Sequence, residues 1–498
     1  ASRVLDSFFA KKMESRWICK FRNLGTSLCG VVCLVSAFPT TTTPVVSIGE
    51  QIQRATSIPE LLQVAQELWL PTDDNLPPHL QTQRVHHEKR LRWSSQLLGK
   101  MGDQASCSDI FPWREEGFAR AVLASSIPFE EDRPEKEGRY LREALVGLHN
   151  MFGYMAPTSK TSLPDPVKQA IIRLVQRVDN VAFSVSLPEA AEIRWACLGI
   201  FARSNVLDDS RGENDEVISR LNERVAALPF DLVSQVIDWN QFFPDQLATH
   251  CLQEEIPFHF DTIVTRTGAA VTERRGTAWI AEDGIGALAY SGKLMPPHKI
   301  SDHIRSIMRS VEDRVIDSRE FSRPFFDCGL CNHYPDGESA CKFHTDPEHG
   351  SKWERLNCVI AAGSPRRFAF RPIPGHATWS EWDSSSATGA VTTASDPNVP
   401  AVITLFPGDV AKMWGTCNDD FHHAVYPGQA RPGEREVERI SLVLKRAIPN
   451  SSGLRGHRLS GEGRRSRRKV KSEDPPPSLP RNGPTGQKKR RRSNPRRR

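Results

Sequence analysis

Apolar residues recur at helical spacing through the first half of the chain. In 58-IPELLQVAQEL-68, Ile58, Leu61, Leu62, Ala65 and Leu68 fall three and four apart, with Pro59 in the first turn, where its missing N–H costs nothing. The stretch 164-PDPVKQAIIRLVQRVDNVAF-183 repeats the pattern. So does 214-NDEVISRLNERVAALP-229, which opens on Asn-Asp-Glu and stops before Pro229. Residues 46–240 are therefore expected to form a helical domain. Beyond them the period shortens. Runs rich in β-branched and aromatic residues lie between Gly and Pro turns: 257-PFHFDTIVT-265, 277-TAWIAE-282, 287-ALAYSG-292, 325-FFDCGLCNHY-334, 356-LNCVIAAG-363, 366-RRFAFRP-372, 401-AVITLFPGDVAKMWG-415 and 438-ERISLVLKR-446. Many short strands with turn signals predict a barrel or sandwich over residues 241–448. One helix, about 299–315, interrupts them. The Ser/Thr/Ala/Gly-rich stretch 375–399 is expected as a surface insertion. The expected class is α+β.

Charge divides the chain unevenly. The formal net charge is +6, yet residues 451–498 hold 17 Lys and Arg against 3 Asp and Glu, a net of +14, which leaves −8 on the rest. Residues 449–498 are almost free of apolar side chains and are expected to be a disordered basic tail. Its runs 464-RRSRRKVK-471 and 488-KKRRR-492 suit a nuclear import signal or an arm that holds nucleic acid nonspecifically. Residues 1–45 include the short apolar run 24-LGTSLCGVVCLVSAF-38 after Arg16, Lys20 and Arg22. This looks like a targeting peptide, and 36-SAFP-39 is similar to a plastid presequence junction. Nucleus and plastid both stay open. No stretch reaches the roughly eighteen apolar residues of a membrane span. Eleven cysteines, an odd number scattered through a long chain, argue for reduced thiols. Oligomeric state is not legible.

The chemistry concentrates in 332-NHYPDGESACKFHTDPEHG-350. His344 and Asp346 are two residues apart and would share one face of a strand. A second histidine is available in 419-DDFHHAVYPG-428, at His422 or His423. Two imidazoles and one carboxylate on one face of a metal make the facial triad of non-haem Fe(II) oxygenases, with positions left open. An oxo acid would need a cationic anchor. Arg439, Ser441, Val443 and Lys445 share a face of the last strand, and Arg439 offers a rigid fork for a carboxylate.

With these residues the chain resembles the AlkB family of Fe(II)- and 2-oxoglutarate-dependent dioxygenases over about 245–447. Thr277-Ala278-Trp279 with Gly284 and 290-YSGKLMPP-297 is similar to the family's nucleotide-recognition lid. Asn332-His333-Tyr334 matches its Asn-x-Tyr, His344-Thr345-Asp346 its His-x-Asp, and Glu348 a common acidic position. The stretch 363-GSPRRFAFR-371 matches its Gly-x-x-Arg-x-Phe hairpin, His423 its distal ligand, and Arg439-Ile440-Ser441 the start of its final strand. Two departures stand out: Ser441 replaces a frequent Asn, and Lys445 replaces a second Arg.

The resemblance implies a double-stranded β-helix (jelly-roll) dioxygenase domain. Its metal ligands would be His344, Asp346 and His423, for Fe(II). Asn332, Tyr334, Arg439, Ser441 and Lys445 would bind 2-oxoglutarate, with O2 as the other cosubstrate. Arg275, Trp279, Tyr290 and Glu348 would meet the substrate. It implies oxidative dealkylation of bases in DNA or RNA, as in repair of alkylated nucleic acid or RNA demethylation. Two other readings compete. Cys328, Cys331, Cys341 and His344 have the spacing of a zinc knuckle, which would make a nucleic-acid-binding module. A scaffold on a degraded oxygenase fold is the second.

Overall fold

The computed structural model describes residues 48–449, other than 69–82, 106–115, 126–133, 156–162, 207–210, 265–267, 291, 318–323, 375–381, 383–398 and 429–436. The leader-like segment, most of the expected insertion and the basic tail lie outside the described residues. The protein is mixed α and β, built around a large antiparallel sheet.

The helical periodicity of the first half is realised in Ile58–Leu68, Pro134–Met155, Leu187–Arg203 and Arg211–Val225, among others. The helix expected over 164–183 breaks at Arg177 into Asp165–Gln176 and a short Val178–Val181. Among the described residues no helix is long and apolar enough to cross a membrane. The long helices of the first half end at Val225, and of the expected helical domain only the start of a short helix, Trp239–Phe242, lies beyond the strand that follows. Phe230–Val233 is a strand, paired antiparallel with Val410–Met413 so that Phe230 faces Met413 and Val233 faces Val410. Pro229 ends the helical run, and Phe230 and Leu232 then alternate inward.

The seven-stranded sheet runs from edge to edge through Phe230–Val233, Val410–Met413, Asn357–Gly363, Arg439–Lys445, Cys328–Tyr334, Gly276–Ala281 and His298–Lys299. A four-stranded sheet runs through Ala401–Leu405, Arg366–Pro372, Phe421–Val425 and Cys341–His344. Strand period two sorts the side chains between two cores. Ile440, Leu442 and Leu444 join Ile304, Ile307, Met308 and Val311 of the Asp302–Val315 helix on the outer face. Val443, Leu330 and Val359 join Phe368, Phe370 and Val425 of the small sheet on the inner face. The alternation puts Arg439, Ser441 and Lys445 on that inner face, with Asn332 and Tyr334 beside them.

The helical layer and the β portion share the inner core. Buried Phe406, in the turn after Ala401–Leu405, presses edge-on to the rings of His149 and Tyr154. A Cβ on Gly153 would stand 2.2 Å from that ring, and one on Gly199 would stand 2.1 Å from His149 Nδ1, so both helices need glycine there. Arg203 pairs with Asp409, both side chains almost wholly buried. Asp409 also accepts from the backbone N–H groups of Gln235 and Phe406. Trp382, within the stretch expected as a surface insertion, packs against Phe230 and Phe421 and donates to the Val399 carbonyl.

His149 makes this junction sensitive to acid. Its Nε2–H donates to the Thr404 carbonyl at 3.0 Å. Burial, and then the nearby Arg203 cation, push its pKa down to about 4. A histidine held neutral when folded and ionisable at its ordinary value when unfolded costs stability as pH falls from about 6.5 toward 4. About 2 kcal/mol is expected to be lost between pH 7.5 and pH 5 from this group. Denaturant titrations of wild type and His149→Gln at both pH values should show that much less pH dependence in the variant.

Candidate metal centre

His344 ends the Cys341–His344 strand, and His423 lies in the middle of the neighbouring Phe421–Val425 strand. The register sets them opposite each other, with ring centroids 4.3 Å apart. Asp346 is not on the strand with His344, as expected from the spacing, but in the turn just after it. The backbone N–H of Asp346 donates to the Asn418 side chain at 3.0 Å, which holds the turn over the two rings. Asp346 Oδ1 lies 3.6 Å from His344 Nε2 and 4.0 Å from His423 Nε2. One donor atom from each of the three residues falls within 4.8 Å of the others. These separations are too long for hydrogen bonds. They match, with slight contraction, donors that converge on one ion at about 2.0–2.2 Å each. His344 Nδ1–H donates to the Lys342 carbonyl at 2.8 Å, which turns the Nε2 lone pair toward the cluster. The grouping can hold a metal ion. Among the described residues no other group of His, Cys, Asp or Glu meets the same condition.

The electrostatics favour a cation. Burial alone would raise Asp346, but Lys445 and the surrounding histidines hold its carboxyl well below the usual carboxylate range. Burial pushes His423 down to about 3, with His344 adding to the effect, so its ring is neutral. Burial would also lower His344, but Asp346 and the Cys341 thiol outweigh it and bring it to about 10. A metal arriving here would displace that proton.

On the wall beside the cluster, Arg439 faces Tyr334 and Ser441 faces Asn332 across the strand pair. Arg439 is fully buried, yet none of its three guanidinium nitrogens has a hydrogen-bond partner. Burial lowers its pKa to about 10. The Asn332 side-chain oxygen is buried without a partner too. A buried guanidinium with no acceptor costs several kcal/mol unless an anion joins it. Lys445 is placed differently. Its Nζ donates to Asp346 Oδ2 at 2.7 Å and to His349 Nε2 at 2.9 Å, so it serves the carboxylate rather than the space beside Arg439.

The four residues expected to meet a substrate are scattered in role. Arg275 is half-buried, donating to Cys341 Sγ at 3.0 Å and to the Tyr290 hydroxyl. That linkage places Arg275 and Tyr290 behind His344, because Cys341 Sγ sits 3.5 Å from His344 Nδ1. Trp279 has no exposed surface; it meets Trp353 edge-on and donates to the Gly286 carbonyl, so it belongs to the core. Glu348 pairs with Lys352 at 2.5 Å, and its carbonyl receives the N–H groups of Ser351, Lys352 and Trp353. Cys341, His349 and Asn418 complete the surroundings and were not singled out for these roles by sequence. Their contacts are tertiary: the zinc-knuckle spacing marked Cys341 for a different role, and no spacing marks Asn418. The zinc-knuckle spacing is not realised: Cys328 and Cys331 point into opposite cores of the large sheet, and burial raises both thiols.

No family model matches the chain. Over 189 residues it is 26% identical to an uncharacterized protein of Acanthamoeba polyphaga mimivirus, a match that spans 38% of this chain and 81% of that protein. The solved structure of OsALKBH1 matches 44% of this chain and 98% of its own, with 14% identity and a TM-score of 0.30.

Proposed function

We propose that the chain is an Fe(II)- and 2-oxoglutarate-dependent dioxygenase with an AlkB-like double-stranded β-helix, acting by oxidative dealkylation on a base in DNA or RNA. The observation that carries the cosubstrate is the buried Arg439 without an acceptor, on the same inner face as the side chains that join the triad. A dicarboxylate with a chelating end and a distal carboxylate satisfies both features at once. His344, Asp346 and His423 would hold Fe(II), which with the oxo acid and O2 supplies hydroxylation of a C–H bond, leaving succinate and CO2. The chain's own part is to bind and orient. Arg439 neutralises the distal carboxylate through its fork, Tyr334 and Asn332 supply polar contacts, and Ser441 offers a hydroxyl on the same wall. Phe368 and Phe370 beside His423 keep water out. The nucleic-acid class follows from the motif resemblance and from the two hairpins Thr262–Val264 with Ala270–Thr272 and Leu288–Tyr290 with Lys293–Met295. They carry the exposed apolar side chains Val271 and Leu294, suited to contact an unstacked base.

The test is succinate release from 2-oxoglutarate by the full chain with Fe(II) and a methylated oligonucleotide. Arg439→Met is expected to raise the 2-oxoglutarate KM at least about 30-fold, the equivalent of about 2 kcal/mol for a lost partner of a buried charge. Wild-type KM in the variant would sink the cosubstrate assignment. Turnover of 2-oxoglutarate unaffected by any methylated DNA or RNA would sink the substrate assignment alone.

A further inference from the structure

The carboxylate of Asp346 is divided between two sets of neighbours. Oδ1 faces His344 and His423. Oδ2 accepts from Lys445 Nζ at 2.7 Å and lies 3.9 Å from His349 Nε2. Both neighbours of Oδ2 are themselves fixed. His349 Nδ1–H donates to the Glu354 carbonyl at 2.8 Å, so its Nε2 carries the lone pair and accepts from Lys445 at 2.9 Å. The side chains of His349 and Lys445 are 2% and 3% exposed, which leaves neither of them room to turn away to solvent.

The loop that delivers His349 is held by unusual backbone. Glu348 has φ +67°, sparsely populated for a residue with a side chain, and Gly350 follows at +78°. Three N–H groups converge on the Glu348 carbonyl, and the Gly350 N–H donates to the Trp353 carbonyl at 2.7 Å. Such a turn persists because its surroundings over-determine it, and its effect is to aim one imidazole at Lys445 from below. The Asn357 side-chain amide reaches the same Nε2 at 3.3 Å, a longer contact than that of Lys445.

We infer that His349 and Lys445 act as a positioning pair that keeps Asp346 a monodentate metal ligand. This rests on the reading of His344, Asp346 and His423 as the metal-binding set. Lys445 alone satisfies Oδ2 with one of its three N–H donors, but a free ammonium on a flexible stem could also swing toward the oxo-acid space. His349 takes a second donor and stops that motion. The consequence is chemical. A facial triad works because it leaves room for a chelating oxo acid and a second cosubstrate. If Oδ2 were released to the metal, Asp346 would take up one of those positions. His349 is therefore a positioning residue, not a third histidine ligand: it stands on the Oδ2 side, away from the two rings.

The test uses the full chain loaded with Co(II) in place of iron, read by its visible ligand-field spectrum and by calorimetric affinity. His349→Ala is expected to bind Co(II) about 10- to 100-fold more weakly and to change the band shape and intensity, as a change in coordination number does. His349→Gln, which returns an acceptor to Lys445, is expected to recover most of both. With Fe(II), His349→Ala should lose kcat while its 2-oxoglutarate KM stays near wild type, because Arg439 is untouched. A His349→Ala protein with the wild-type Co(II) spectrum and affinity overturns the inference. So does one in which Gln restores nothing although both variants melt at the wild-type temperature. A wild type that binds no Co(II) overturns it with the metal site. A wild type that binds Co(II) but never consumes 2-oxoglutarate, with variants that show these spectral effects, upholds the positioning pair and overturns the dioxygenase reading alone.

Discussion

Asp346→Asn is expected to lower Fe(II)-dependent succinate release by about 10³-fold or more. The estimate takes the loss of an anionic ligand as about 4 kcal/mol, within the several kcal/mol that a bound metal contributes, at about 1.4 kcal/mol per tenfold. Asn is preferred to Ala for a reason visible in the structure. Lys445 sits 2.7 Å from Asp346 Oδ2 with its side chain 3% exposed. An alanine would leave that ammonium buried and unpaired, at about 3–5 kcal/mol in stability, and lost activity would then be confused with lost folding. Asn keeps a carbonyl for Lys445 and removes the charge that draws the metal. A melting temperature close to wild type with turnover gone is the outcome that locates the chemistry at this carboxylate. Turnover within tenfold of wild type would show that the three residues do not hold the working metal.

How much of this was legible beforehand depends on the range of the interaction. His344 and Asp346 could be proposed from their two-residue spacing and Arg439 from strand alternation, whereas the choice of His423 over His422 and the place of Tyr334 came from the motif resemblance. The helix Asp302–Val315 was legible from its local pattern: Ser301 caps it by accepting from the Ile304 N–H, and Ile304, Ile307, Met308, Val311 and Val315 repeat along one side. Lys445 was harder. Its position on the inner face follows from alternation, but its partner follows from a turn with a left-handed glutamate that no composition rule anticipates. Trp279 and Arg275 carried a motif resemblance that says nothing of tertiary contacts: burial removes Trp279 from any surface, and a hydrogen bond ties Arg275 to Cys341. The break at Arg177 has a tertiary cause too: its guanidinium donates to Glu137 and to the Ser125 carbonyl, contacts that fix the chain where periodicity alone would have continued the helix. Phe230–Val233 was missed because so short a strand has no periodicity to read, and its partner Val410–Met413 is remote in sequence.

That short strand bears on the second large effect. A chain beginning at residue 241 is expected not to fold cooperatively, even though it contains every residue of the candidate site. Removing Phe230 takes away a ring stacked 3.9 Å from Phe370 and edge-on to Phe421 and Trp382, worth about 2–3 kcal/mol of burial by itself. It also turns Val410–Met413 into an open edge. Removing the Leu187–Arg203 helix leaves Asp409 buried without Arg203, at about 3–5 kcal/mol. It also strips Glu192 from the Val402 N–H, and loss of the Pro134–Met155 helix takes the His149 and Tyr154 rings from Phe406. Against a total stability of about 5–15 kcal/mol for a typical protein, these losses are enough to unfold it. The check is thermal unfolding of residues 241–498 followed by near-ultraviolet circular dichroism, beside Asp409→Ala in the full chain, which tests one of these contacts alone at about 3–5 kcal/mol in a denaturant titration. A fragment that melts cooperatively near the full chain's temperature would mean that the shared core is an accessory contact and that the β portion is self-sufficient. An unfolded fragment with a destabilised Asp409→Ala protein would mean that the helical layer is part of the scaffold that holds His344, Asp346 and His423 in place.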